Sequence, residues 1–368
     1  MQWKKQLLDL VPYQPGKSIE SVKKEYRLKE IVKLASNENP SGCSAKVALA
    51  LRENTHLFQT YPDGYATELR LALADLLHVD QKQLIFGNGS DNIIQMISRS
   101  LLKPGKNTVM AFPTFTQYKH NAIIEGAEIR EIPLVNGEHD LPKMLSAIDQ
   151  DTTVVWLCSP NNPTGKYINN ETLKAFLDAV PAETLVVLDE AYYEYVTATD
   201  YYDAIQLLQD YKNLIVLRTF SKIYGLASLR VGYGISNEAI IRALEPVREP
   251  FNVNALAIKL AKTALEDQQF VATCKKQNRE GLEQFYQFCQ KHHLHYFPSQ
   301  ANFILIDFER DGDEVFQYLM ERGYIVRSGR ALGFSTMVRI TVGSKKQNDG
   351  VMKVMEQYIQ DTFYCKQS

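Results

Sequence analysis

Cysteine is scarce in this sequence, and its five copies, Cys43, Cys158, Cys274, Cys289 and Cys365, are scattered with no CxxC spacing. The scatter and the odd number argue against both a zinc site and a disulfide framework. Reduced thiols in a cytoplasmic protein are expected instead. An excess of one charge is also missing: 41 basic residues face 43 acidic ones, a formal net charge of -2. Such a balance offers no electrostatic footprint for nucleic acid or an anionic membrane, although a small anionic ligand needs only local charge. No apolar run approaches the roughly 18 residues of a membrane span. The N-terminal MQWKKQLLDLVPYQPGK lacks the apolar centre of a signal peptide. Neither a fixed-period repeat nor a low-complexity tract is present.

What is there is ordinary for a globular enzyme, with 45% hydrophobic and 23% charged residues. The 368 residues suit two or three domains. From about residue 60 to 235, short apolar runs alternate with amphipathic stretches. LIFGN (84–88) leads into SDNIIQMISRSLL, where Ile93, Ile97 and Leu101 share one helical face. TVMAF (108–112), VVWLC (154–158), LVVLD (185–189) and the run that ends at Leu217–Arg218 complete the strand candidates. Short buried strands separated by helices predict an α/β fold, with a mostly parallel central sheet covered on both faces. After about residue 250 a long helical region runs to about 293, then NFILIDF, YIVRS and MVRITVG predict a smaller α+β unit. The domains expected are therefore 40–250 for the large unit, and 1–39 with 251–368 for the small one.

The unusual polar residues stand where the strands finish: Gly87–Asp91, Pro113–Phe115, Asn161–Asn162, Asp189–Tyr192 and Ser221–Lys222. Open α/β sheets bind ligands at the carboxyl ends of their strands, so five strand ends point at one crevice. Each residue also has a plain reading. GNGSDN, lying between strand and helix, is a phosphate site or an ordinary capped helix in which Ser90 or Asp91 is the cap. SPNNPTG is a turn, or a loop that holds an asparagine over a ligand. Asp189 follows four apolar residues, and a buried carboxylate needs a cation, either a protonated ligand nitrogen or a neighbouring arginine. Lys222 is a surface charge or, near other cations, an amine with reduced proton affinity that can form an imine. Arg339, in an apolar strand, holds an anionic substrate or a structural ion pair.

SPNNPTG, LDEAYYEY and TFSKIYGLASLR, in this order and spacing, resemble the fold-type-I, class I and II aminotransferases, and the resemblance extends over essentially the whole chain. VPYQPGK, KLASNENP, YPDGY, NFILIDF and YIVRSG are similar to the bacterial histidinol-phosphate aminotransferases. The resemblance implies pyridoxal 5'-phosphate as cofactor, joined as a Schiff base to Lys222, which then serves as base and acid for a 1,3-proton shift. It implies Asp189 on the pyridine nitrogen, Asn162 and Tyr192 on the phenolic oxygen, and Phe115 on the ring face. Ser90, Asp91, Ser221 and Arg230 would surround the phosphate, and Tyr61 would reach it from the other subunit of a homodimer. Tyr13, Arg327 and Arg339 match positions that bind anionic substrate groups. The reaction implied moves the amino group of L-histidinol phosphate to 2-oxoglutarate by a ping-pong route, in histidine biosynthesis. An aromatic amino-acid aminotransferase is the alternative, and a phosphothreonine decarboxylase on the same scaffold a more distant one. One departure is Asn92, which follows GSD where an acidic residue is usual, and which predicts weaker support for the neighbouring helix N-terminus.

Overall fold

Uninterrupted aliphatic runs become the strands of this molecule, and the turn-forming residues after them become its site. The computed structural model describes residues 1–12 and 17–364. Its strands run in chain order as β1 (Val32–Lys33), β2 (Leu84–Gly87), β3 (Asn107–Phe112), β4 (Glu128–Pro133), β5 (Thr152–Cys158) and β6 (Leu185–Asp189). There follow β7 (Leu214–Thr219), β8 (Gly232–Ser236), β9 (Phe303–Asp307), β10 (Tyr324–Ile325), β11 (Arg327–Ser328) and β12 (Met337–Thr341).

A seven-stranded sheet has the order β2-β8-β7-β6-β5-β3-β4. β8 alone runs against the other six strands, which all point the same way. The five strands expected from sequence are all present. The two that were not foreseen have weak strand signals: β8 contains two glycines, and β4, at a sheet edge, carries three charged residues and ends in proline. Successive residues of a strand face opposite ways. Val155 and Leu157 accordingly enter one hydrophobic core while Val154 and Trp156 enter the other. Helices cover both faces, so β5, β6 and β7 are buried almost throughout.

β9, β12 and β11 form a smaller antiparallel sheet with its own core of Leu34, Phe285, Ile304, Ile340 and Met355 among others. The predicted strand YIVRS is divided between two sheets: β10 pairs with β1, and β11 pairs with β12. The predicted long helical region is two helices, Ala255–Leu265 and Gln268–Lys291. Ala257, Leu260, Ala261 and Leu265 pack in the larger core, although they lie beyond residue 250. At the N-terminus Leu34 joins the smaller core, whereas Lys4 and Gln6 donate to the Ile124 carbonyl of the helix Thr116–Glu125 beside the large sheet.

Candidate active site

Because six strands of the large sheet are co-directional, their carboxyl ends open on one edge, and β12 of the smaller sheet faces that edge. A cavity of about 520 Å³ lies there, lined by Ser90, Asp91, Phe115, Asn162, Asp189, Tyr192, Ser221, Lys222, Arg230, Arg327 and Arg339. Tyr13 lies outside the described residues. Tyr61 is away from this cavity in its own chain: it is 82% exposed and stacks on Phe251 with ring centroids 4.8 Å apart.

One end of the cavity is built for an anion. The helix Ser90–Leu101 starts there, and its cap is Gly89 at φ 78, with no side-chain cap among the described residues. Ser90 and Asp91 therefore do not cap the helix, as the sequence had suggested; they are its first two residues, and the helix start keeps N–H groups for a ligand. The backbone is closely packed around this point. A Cβ at Gly89 would stand 2.6 Å from Arg230 Nη2, and one at Gly232 would stand 2.5 Å from Ser90 N. Strand register explains the second contact, since Gly232 pairs with both Gly87 and Thr219. Arg230 Nη2 donates to Asp91 Oδ2 at 3.1 Å, and Nη1 to Ser221 Oγ at 3.3 Å. Asn92 is not a weak point. Its amide oxygen accepts from Asn88 N–H at 3.2 Å and from Asn252 Nδ2 at 3.0 Å, which ties the glycine loop down without a carboxylate.

Lys222 and Asp189 form the middle of the cavity. Lys222 Nζ lies 3.4 Å from the Ser36 carbonyl oxygen and 5.5 Å from the centre of the Tyr192 ring. Burial, helped by the charge of Arg339, lowers its ammonium to about 8, which makes the free amine accessible near neutral pH. Asp189, only 3% exposed, accepts from Tyr118 Oη–H at 2.7 Å and from Ala191 N–H at 3.1 Å. The neighbouring arginine that might have paired with it, Arg218, bonds Glu190 at 2.8 Å instead. Among the described residues no ion pair is made by Asp189, and burial raises its carboxyl to about 6. A buried acceptor of this kind is matched by a ligand that brings a cationic N–H.

Two neutral donors stand beside it. Asn37 Nδ2 donates to Tyr192 Oη at 2.9 Å, so the phenol's own proton is left to point elsewhere. Burial raises the Tyr192 phenol, which keeps it protonated. Asn162 Oδ1 accepts from Arg339 Nη1, which leaves the Asn162 NH₂ as donor; Arg339 Nη2 donates to the Ala35 carbonyl at 2.8 Å. Arg327 and Arg339 are cross-strand partners in the β11–β12 pair. Like charges placed opposite each other are unfavourable, and an anion between them removes the penalty.

Sequence reasoning had missed Asn37, Tyr118 and Thr219. Tyr118 stands one helical turn after Phe115, a spacing that could have revealed it. Asn37 had no such local sign, because its partner Tyr192 is 155 positions away. Thr219 was hidden as the last residue of a strand, yet its hydroxyl donates to Ser221 Oγ at 3.0 Å and accepts the Ser221 N–H.

The donor set fits pyridoxal 5'-phosphate: an open helix start with arginine for the phosphate, an unpaired buried carboxylate for the ring nitrogen, two neutral donors for the phenolic oxygen, an aromatic for the ring face, and an amine of low proton affinity. The model of the family described as aminotransferase class I and II matches residues 29–355. The chain is 59% identical, over 98% of its length and 99% of the relative's, to a histidinol-phosphate aminotransferase of Geobacillus thermodenitrificans. It is 60% identical, over the same shares, to that of Geobacillus sp. strain WCH70. The crystal structure of histidinol-phosphate aminotransferase from Sinorhizobium meliloti in complex with pyridoxal-5'-phosphate superposes with a TM-score of 0.89, at 26% identity over 98% of each chain. The chain thus belongs to the class I and II aminotransferases, pyridoxal-phosphate-dependent enzymes of fold type I.

Proposed function

We propose that this chain transfers the amino group of L-histidinol phosphate to 2-oxoglutarate, by a ping-pong route in histidine biosynthesis. The observation that carries this reading is the Arg327–Arg339 pair facing the same cavity as Lys222. Histidinol phosphate has a phosphate and no α-carboxylate, whereas glutamate has two carboxylates. One anion site must accept both, and guanidinium forks pair with either geometry. The relatives' shared name points the same way.

In this reading the bound cofactor supplies an electron sink that lowers the barrier to removing the substrate's α-proton. The chain's own groups do the rest. Lys222, as free amine, would take the proton from the substrate Cα and return it two atoms further along, which is the 1,3-shift. Asp189 would hold the ring nitrogen as a cation, Asn162 and Tyr192 would donate to the ring oxygen, and Phe115 would back the ring. Ser90, Asp91, Ser221 and Arg230 would surround the phosphate end. Tyr13, Arg327 and Arg339 would receive the substrate anion.

The active unit in this reading is a cytoplasmic homodimer, with Tyr61 completing the phosphate site of the partner subunit. Leu49, Phe58, Tyr61, Tyr65, Leu71 and Phe251 are all exposed, an apolar surface that a second copy would cover. Among the described residues no helix is long and apolar enough to cross a membrane. Residues 40–250 would form the cofactor-binding unit and 1–39 with 251–368 the smaller one, with Ala255–Leu265 packed on the former.

Stopped-flow absorbance tests the substrate. Histidinol phosphate should discharge the cofactor's lysine-linked band rapidly, 2-oxoglutarate should restore it, and phenylalanine should act slowly. Faster discharge by phenylalanine, or carbon dioxide release from threonine phosphate, would overturn the assignment.

A further inference from the structure

Tyr118 does not line the cavity, yet it touches two of the groups that define it. Its side chain is fully buried. The ring stacks on Trp156 with centroids 4.8 Å apart and planes at 11°, and meets Phe115 edge-on at 5.5 Å and 80°. The hydroxyl reaches Asp189 Oδ2 at 2.7 Å. Behind it, Trp156 Nε1 donates to Thr108 Oγ1 at 2.9 Å, and that hydroxyl donates to the Val154 carbonyl at 2.8 Å. The column Thr108–Trp156–Tyr118 is thus hydrogen-bonded at every polar atom and packed inside the second core of the large sheet. Burial and the charge of Asp189 both keep the phenol protonated, so it acts as a fixed donor.

A buried carboxylate with one neutral side-chain donor is held both in charge and in direction. We propose that Tyr118 is a positioning residue for the cofactor: its hydroxyl keeps Asp189 ionised and aimed at the ring nitrogen, while its ring edge supports Phe115 against the ring face. Both partners are set by one turn of one helix, since Phe115 and Tyr118 stand at the start of Thr116–Glu125. This inference rests on the reading of the cavity as a pyridoxal-phosphate site.

Tyr118→Phe keeps the ring and both aromatic contacts and deletes the donor alone. A hydrogen bond to a buried charge corresponds to about tenfold to a hundredfold in an equilibrium. The cofactor dissociation constant should therefore rise at least about tenfold. With Asp189 more basic, the ring nitrogen is less firmly protonated and withdraws less charge. The pH midpoint of the bound cofactor's visible absorbance should then move upward, and kcat should fall while KM for the amino donor stays within about twofold. In an Asp189→Asn background the same change should add less than about twofold to the dissociation constant, because the two residues act through one bond. A merely structural tyrosine would lower thermal stability without moving the absorbance midpoint, and an unshifted midpoint overturns the proposal. So does an undiminished effect in the Asp189→Asn background. Should Tyr118→Phe fail to fold, 3-fluorotyrosine at position 118, a stronger donor, should move the midpoint downward, and no movement again overturns it. A wild-type chain with no cofactor band would overturn the functional reading beneath it, whereas a wild-type band with an unshifted variant overturns the role of Tyr118 alone.

Discussion

Asp189 should make the cofactor-free protein less stable than it could be. Its carboxyl is raised from 3.8 to about 6, chiefly by burial, with the Tyr118 and Ala191 hydrogen bonds opposing the shift. The folded state therefore binds this proton more tightly than the unfolded chain does. Stability falls as pH rises from about 3.8 to about 6 and stays low above that. At 1.36 kcal/mol per pKa unit the cost is about 3 kcal/mol at pH 8 and roughly half of that at pH 5. Asp189→Asn abolishes the titration, although its single amide oxygen can keep only one of the two bonds, since Tyr118 and Ala191 donate to different carboxylate oxygens. Urea unfolding of the cofactor-stripped wild type and variant should show the variant gaining about 1.4 kcal/mol, relative to wild type, between pH 5 and pH 8. That pH-dependent part is independent of any fixed difference in the amide's own contacts. With cofactor present the order should reverse, since the variant cannot pair with a ring cation. A stability difference that is flat with pH, or that shrinks from pH 5 to pH 8, would refute the reasoning.

Four other outcomes follow from the same geometry. Lys222 in the cofactor-stripped protein should react with an amine-selective label with a pH midpoint near 8, and a midpoint near the ordinary 10.5 would contradict the lowering; Lys222→Ala should abolish turnover. Gly232→Ala places a Cβ 2.5 Å from the Ser90 backbone nitrogen, so the phosphate cradle must shift; equilibrium dialysis should show cofactor affinity reduced about tenfold or more, as overpacking by 1–3 kcal/mol implies, and unchanged affinity would count against the cradle. Arg327→Met should raise KM for both histidinol phosphate and 2-oxoglutarate about tenfold or more with kcat little changed, as expected for lost anion binding; an effect on only one of the two substrates would separate their sites.

The sequence by itself determined five of the seven strands of the large sheet, because buried aliphatic runs such as VVWLC and LVVLD have few alternatives to a covered parallel sheet. It also placed cavity-lining residues, since co-directional strands bring their carboxyl ends together, and Lys222, Asp189 and Asn162 line the cavity, joined by Arg230, which the motif resemblance had pointed to. What it could not determine was pairing over long separations. Asp189 demanded a partner, but local pattern could not decide between Arg218, which bonds Glu190, and Tyr118, which bonds Asp189. The direction of β8, the division of YIVRS between two sheets, and the placement of Arg327 opposite Arg339 depend on register. The open helix start at Ser90 likewise came from Gly89 at φ 78 and the arginine packed against it, not from the capping residues that follow. Composition and periodicity specify which residues are buried and which end of a strand they occupy; only the tertiary structure decides which charge meets which, because the partners stand on different elements, from tens of residues apart for Arg218 and Glu190 to more than a hundred for Arg230 and Asp91.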